Sequence, residues 1–267
     1  MVTASFFSTI GMDEQPINYF FGGYHLLYLM LNLLMFVVLF WVIHQKPRAK
    51  QDKFINISLV VIIFLKYAGE ALFIYEYYNV SPAYSNYPHP FLDINTFFSF
   101  QLCGIMNILL PITIWFNIKK LKPFIYATSI LGGLAVIFYP VTVLFGDPYQ
   151  ITFPIVRSSV VHFFLVLIPM ILIARGDARL RRQDWYQIAI GLLLTGVWAM
   201  FGNLVIDKNA NNMYLMVNPF LNGPIPIINQ LPNGWHIIFL VVAVTFGYMV
   251  TFNFARLFTP KETGELL

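Results

Sequence analysis

The sequence predicts an all-α, polytopic membrane bundle of seven transmembrane helices, N-terminus outside and C-terminus cytoplasmic. Three observations predict it. The chain is 58% hydrophobic and 18% aromatic with only 10% charged residues, against roughly 25% charged in soluble domains, and its mean hydropathy is +0.70. Seven apolar runs approach the roughly 20 residues that span a bilayer as a helix. Of the 16 Lys and Arg residues, 13 fall in alternate connections, the pattern of positively charged cytoplasmic loops.

Taken in order, the first run is Phe20 to His44, carrying His25, and is followed by Lys46, Arg48, Lys50 and Lys53. The second, Phe54 to Tyr78, carries Lys66 and Glu70 one turn apart. The third, Ile94 to Phe116, holds Cys103 and Pro111 and ends at Lys119, Lys120 and Lys122. In the fourth, Pro123 to Phe145, Gly132, Gly133 and Ala135 permit close helix approach. The fifth, Ile155 to Ala174, carries Ser158, His162 and Pro169 before Arg175, Arg179, Arg181 and Arg182. The sixth, Trp185 to Ile206, carries Asn203, and the seventh, Trp235 to Phe254, leads to Arg256 and Lys261. Pro111, Pro140 and Pro169 are expected to kink or locally open their helices.

This divides the chain into an extracytoplasmic segment 1–19, a bundle 20–258 and a cytoplasmic tail 259–267. Asp13 and Glu14 replace the basic start of a signal peptide, so the first helix is expected to be retained. The outer connections, Asn79 to Asp93, Gly146 to Pro154 and Asp207 to Gly234, are longer than the inner ones. The last, residues 207–234, interleaves seven Asn with Pro219, Pro224, Pro226 and Pro232, which excludes one regular helix. Its apolar stretches Met213 to Val217 and Ile225 to Ile228 suggest a lid in the interface over the bundle mouth; an ordered cap with no ligand role is the alternative. Asn79-Val80-Ser81 fits a glycosylation sequon but abuts the membrane.

The net charge of +4 does not point to nucleic acid, because the basic residues hug helix ends as topology determinants. One cysteine excludes an intramolecular disulfide and a Cys-based zinc site. No Gly-rich phosphate loop is present, and the seventh run lacks the Schiff-base lysine of retinal proteins. No cofactor, metal or protein partner is called for.

Intramembrane ionisable groups are costly and mark sites. At about 1.5 Å per residue, His25, Glu70, Cys103, His162 and Asn203 fall roughly 5 to 14 Å below the outer boundary, a common depth at which they would meet. A thiol needs a base to become a nucleophile, and a carboxylate such as Glu70 would orient that base, completing a Cys, His, acid arrangement. Each residue also has a plainer reading. Cys103 alone is a small packing residue, a lone His is an interhelical hydrogen-bond donor, and Glu70 is the partner of Lys66. Ser158, on the same face as His162, is a fallback nucleophile.

With these residues in view, the chain resembles the YwaF-like family of integral membrane proteins, which includes the eukaryotic transmembrane-164 acyltransferases. The resemblance runs over about Phe20 to Phe252. It rests on Phe20-Phe21 with His25, on Glu70, and on Gln101-Leu102-Cys103. Further matches are Gly132-Gly133-Leu134-Ala135 with Pro140, His162, Asn203, and Asn211 through Met213-Tyr214-Leu215 to Pro219. Departures are Ser99-Phe100 where a proline often precedes the cysteine motif, Val141 where an acidic residue often follows the fourth-run proline, and Asn212 for the usual tyrosine.

The resemblance implies a seven-helix membrane protein and acyl transfer between lipids, with Cys103 as nucleophile and His162 as base. His25 and Glu70 complete the catalytic candidates, and Gln101, Asn203, Asn211 and Tyr214 are the substrate-binding ones. The expected function is thus a lipid acyltransferase or lipid hydrolase of the cell membrane, with membrane lipids as its substrate. The alternative, from a different class, is a transporter or binding protein for a small solute or proton that uses Lys66, Glu70 and the histidines as a relay.

Overall fold

The computed structural model describes residues 6–7, 22–79, 98–139, 152–208, 210–218, 220–221 and 226–260. Among these the chain is all-helical, with no strand. Its elements are α1 (Gly23–His44), α2 (Arg48–Asn79), α3 (Leu102–Trp115), α4 (Lys122–Phe138), α5 (Phe153–Ala174), α6 (Trp185–Phe201) and α7 (Trp235–Phe258). A π-helical turn, Gly202–Ile206, extends α6, and single 3₁₀ turns lie at Arg182–Asp184, Asn212–Tyr214 and Ile228–Gln230. The expected sequon, the Asn79 to Asp93 connection beyond its first residue, Pro140 and Val141, residues 146–151, most of 1–19 and most of the tail lie outside the described residues.

Five helices, α1, α2, α5, α6 with its π turn, and α7, are long and apolar enough to cross a membrane. The other two are shorter, 14 residues for α3 and 17 for α4. Within the third apolar run, residues 98–101 run non-helically into α3. The cause is local. Phe100 is fully buried, stacked on Trp198 at 4.7 Å between centroids and pressed on Gly202, where a Cβ would stand 2.6 Å from its ring. The Trp198 indole donates to the Ser99 carbonyl at 3.1 Å, so α6 holds this stretch out of the helix.

The most buried helix is α5, with 61% of its most apolar window inside the protein; it packs against α1, α2, α3, α4 and α7. Water does not drive helices together inside a bilayer, so such contacts depend on small residues that let backbones approach. Gly133 of α4 is the instance here. A Cβ added to it would lie 2.7 Å from the His162 carbonyl oxygen and 2.6 Å from Val166. Pro111 and Pro169 sit inside α3 and α5, each of which continues through its proline as one helix.

The basic end is tied by ions. Asp177, just beyond α5, pairs with Arg48 and Arg175, and Arg175 also reaches Asp52 at 2.6 Å. Gln51 donates to the carbonyls of His44 and Lys46 at 3.0 and 2.9 Å, closing the end of α1. This holds the start of α2 against both of its neighbouring connections.

Candidate functional site

Cys103 is the second residue of α3, on a first turn that no side chain caps. The first N–H groups of a helix have no intrahelical partner and are left to donate elsewhere. Cys103 is half-buried, and its thiol faces α4 at Gly132, where a Cβ would stand 3.2 Å from Sγ. Tyr248 of α7, which hydrogen-bonds Thr128 at 2.8 Å, and Tyr214 of the loop between α6 and α7 both lie within electrostatic reach of the thiol. Burial raises the Tyr214 phenol above its ordinary value, with Cys103 and Tyr139 adding to the rise.

His162 lies on the next helix around α4, buried, with its own carbonyl against Gly133. Gly132 and Gly133 are consecutive, so Cys103 and His162 belong to the two helices that flank one step of α4. The ring Nδ1 is 2.7 Å from the Ser158 carbonyl oxygen. A carbonyl only accepts, so Nδ1 carries the proton and Nε2 is left with the lone pair. Ser158 Oγ also contacts Nδ1, at 3.2 Å. It therefore meets the protonated nitrogen, the wrong one to take its proton, and acts here as a positioning group.

Glu70 lies with cations: Lys66 Nζ is 3.9 Å from Oε1, and Arg157 of α5 is within electrostatic reach. The orienting role that the sequence offered to Glu70 is filled at Nδ1 of His162 by a backbone carbonyl. His25 is fully buried and hydrogen-bonds the backbone of Phe138, at the end of α4. The common depth thus resolves into separate partnerships rather than one cluster of five.

The remaining candidates organise the loop between α6 and α7. Gln101 Oε1 accepts from the Met213 N–H at 3.0 Å, two residues before Cys103. Asn203, buried in the π turn, accepts at Oδ1 from the Asn212 N–H (2.8 Å) and side-chain amide (2.9 Å), and returns a bond to the Asn212 carbonyl at 3.2 Å. Asn211 Oδ1 accepts from the N–H groups of Met216 and Val217 while its amide donates to the Val217 carbonyl at 2.8 Å. Asn218 donates to the carbonyls of Ile228 and Leu231 at 2.7 and 2.8 Å.

Three contributors were missed in the sequence. His236, fully buried at the start of α7, accepts at Nδ1 from the Gly234 N–H (3.1 Å) and donates from Nε2 to the Tyr214 carbonyl (2.9 Å). Tyr248 is the second, and its phenol on an apolar helix carried no signal. Arg157 is the third. Its signal was present: an arginine three residues into an apolar run and outside the basic loops.

An apolar cavity of about 590 Å³ lies between α1, α4, α5 and α7, lined by residues including Leu33, Phe36, Leu134, Phe163, Val166 and Phe254. It adjoins the Gly133 contact through Leu134 and Val166. Among the described residues no group of His, Cys, Asp and Glu is placed to hold a metal ion.

Comparison with known proteins identifies one family: the model described as the TMEM164 family matches residues 20–252. No match is found among curated proteins or among solved structures.

Proposed function

Because the chain belongs to the TMEM164 family and is a membrane protein with several membrane-length apolar helices, we propose that it is a membrane-embedded lipid acyltransferase or lipid hydrolase working through a Cys103 thioester. In this reading Cys103 Sγ attacks the carbonyl carbon of a lipid ester, and His162 Nε2 takes the thiol proton and delivers it to the departing alkoxide oxygen. The thioester then passes its acyl group to an acceptor hydroxyl, or to water, and the thiol is restored.

The observations that support the reading are the placement of Cys103 on an uncapped helix N-terminus against Gly132, and the hydrogen bond that leaves Nε2 as the base nitrogen of His162, whose carbonyl lies against Gly133. The free N–H groups of the α3 first turn are oriented donors for the developing oxyanion, a role worth about 3 kcal/mol per donor where well placed. Gln101 keeps an amide N–H for the same role, since only its Oε1 is engaged by Met213. The apolar cavity beside Gly133 suits an acyl chain. Seven crossings, an outer-leaflet site and residence in the cell membrane complete the proposal, supported by the basic residues of alternate connections.

Mass spectrometry of purified protein incubated with mixed phospholipids tests it. The expected result is an acyl adduct on Cys103 that hydroxylamine removes, absent in Cys103→Ser and reduced in His162→Ala. Lipid turnover that persists undiminished in Cys103→Ser would end the thioester reading.

A further inference from the structure

Among the described residues, the charged group between α2 and α5 is unbalanced. Lys66 is 6% exposed and its Nζ makes no hydrogen bond. Its nearest carboxylate oxygen, Glu70 Oε1, is 3.9 Å away, outside hydrogen-bond range, and Nζ otherwise sits 4.5 Å above the Tyr67 ring. Arg157 enters the same space from α5. Its guanidinium lies on the α2 backbone at Gly69, where a Cβ would fall 1.4 Å from Nη1 and 2.4 Å from Cζ. Only glycine admits it there. Its charge reaches Lys66, Glu70 and His162, yet the ion pairs closed among the described residues do not include it.

Among the described residues two cations thus face one carboxylate in an apolar setting, and like charges held together there are costly. A bound anion removes that cost. A planar guanidinium beside an ammonium is the donor set that suits a tetrahedral oxyanion, and an ammonium nine-tenths buried without a hydrogen-bond partner is poised to donate to one. Arg157 precedes His162 by five residues, about 7.5 Å of helix rise. Ester and phosphate of a glycerophospholipid are joined through a three-carbon glycerol, a link suited to such a gap.

We infer that Lys66 and Arg157, floored by Gly69, form an oxyanion subsite that holds the phosphodiester of the lipid whose acyl ester reaches Cys103. The inference rests on the acyl-transfer reading for its lipid, but its test does not need the chemistry. Glu70 limits the positive charge of the pair and sets how strongly the subsite attracts an anion.

The test is ligand binding by native mass spectrometry to the Cys103→Ser protein. Its probes are phosphatidylcholine, diacylglycerol with the same chains, and inorganic phosphate as competitor. Phosphatidylcholine is expected to bind at least about tenfold more tightly than diacylglycerol, from charge-assisted hydrogen bonds to the phosphate. Lys66→Met and Arg157→Gln should erase that preference while leaving diacylglycerol binding intact, which also shows that the variants are folded. Glu70→Gln, which adds net positive charge, should preserve or strengthen it. Equal binding of the two lipids, or a preference that survives both cation variants, overturns the inference. Inorganic phosphate bound at Lys66 and Arg157 without a phospholipid preference overturns the lipid assignment and leaves a free-anion site. Because no thiol is present, an absent acyl adduct in the wild type and an absent phosphate preference are separate failures.

Discussion

His162 and His236 are held in opposite tautomers. His162 presents Nδ1 to a carbonyl at 2.7 Å and leaves Nε2 as its base nitrogen. His236 accepts an N–H at Nδ1 and donates from Nε2, so both of its nitrogens are engaged by backbone. The first arrangement is fit for proton transfer, the second for holding a loop.

Substitution should separate these roles. His162→Ala is expected to lower turnover by about 10²- to 10⁴-fold, the range of a lost general base, with little change in thermal unfolding. Ser158→Ala keeps the carbonyl that orients the ring, so its loss should not exceed about tenfold. His236→Ala leaves the Gly234 N–H and Tyr214 carbonyl without partners. It should cost about 1–3 kcal/mol in unfolding measurements.

Gln101 is expected to act on the loop through its acceptor oxygen. Gln101→Ala should speed hydrogen exchange across residues 211–217, whereas Gln101→Glu, which keeps an acceptor for the Met213 N–H, should leave it slow. Equal exchange in both variants would show that the 3.0 Å bond does not hold the loop.

Adding one methyl to each of two adjacent glycines should give unlike results. At Gly133 the methyl meets a backbone carbonyl at 2.7 Å, which cannot move aside, so Gly133→Ala should destabilise by about 1–3 kcal/mol. At Gly132 it meets only the Cys103 thiol at 3.2 Å. Gly132→Ala should fold with near-normal stability and show slower alkylation of Cys103, read by iodoacetamide mass labelling.

The Asn203 and Asn212 pair should behave as one unit. Removing either leaves buried polar groups unsatisfied, at about 1–3 kcal/mol. The double alanine variant should cost clearly less than the sum of the singles in a thermal-unfolding cycle.

Crossing number and orientation are open to labelling in a Cys103→Ser background. A cysteine at Lys120 is expected to react with an impermeant maleimide only after the cytoplasmic side is opened, and one at Leu221 in intact cells. The reverse pattern would invert the proposed topology.

Much of this architecture is legible in single residues. The all-helical class and the starts of α1, α4, α5, α6 and α7 follow from hydropathy and from the basic connections, to within three residues. The beginning of α3 does not, because it depends on Phe100 being trapped between Trp198 and Gly202, a contact between segments a hundred residues apart. The same limit applies to the site. Residue types and depth bring forward Cys103, His162 and Glu70. Which nitrogen of His162 carries the proton, and that Glu70 keeps company with Lys66 and Arg157, are matters of side-chain direction that a linear pattern does not encode. Arg157 was visible in principle, since an apolar run seldom contains an arginine without a use.

The loop between α6 and α7 is fastened to the starts of α3 and α7 and to the end of α6, through Gln101, Asn203 and His236. A loop fixed to three separate helices does not move on its own; the helices must tilt with it. For the proposed chemistry, substrate then arrives sideways from the surrounding leaflet, and the encounter becomes two-dimensional. Turnover should follow the mole fraction of substrate in the bilayer and fall when inert lipid dilutes it, even at constant bulk concentration.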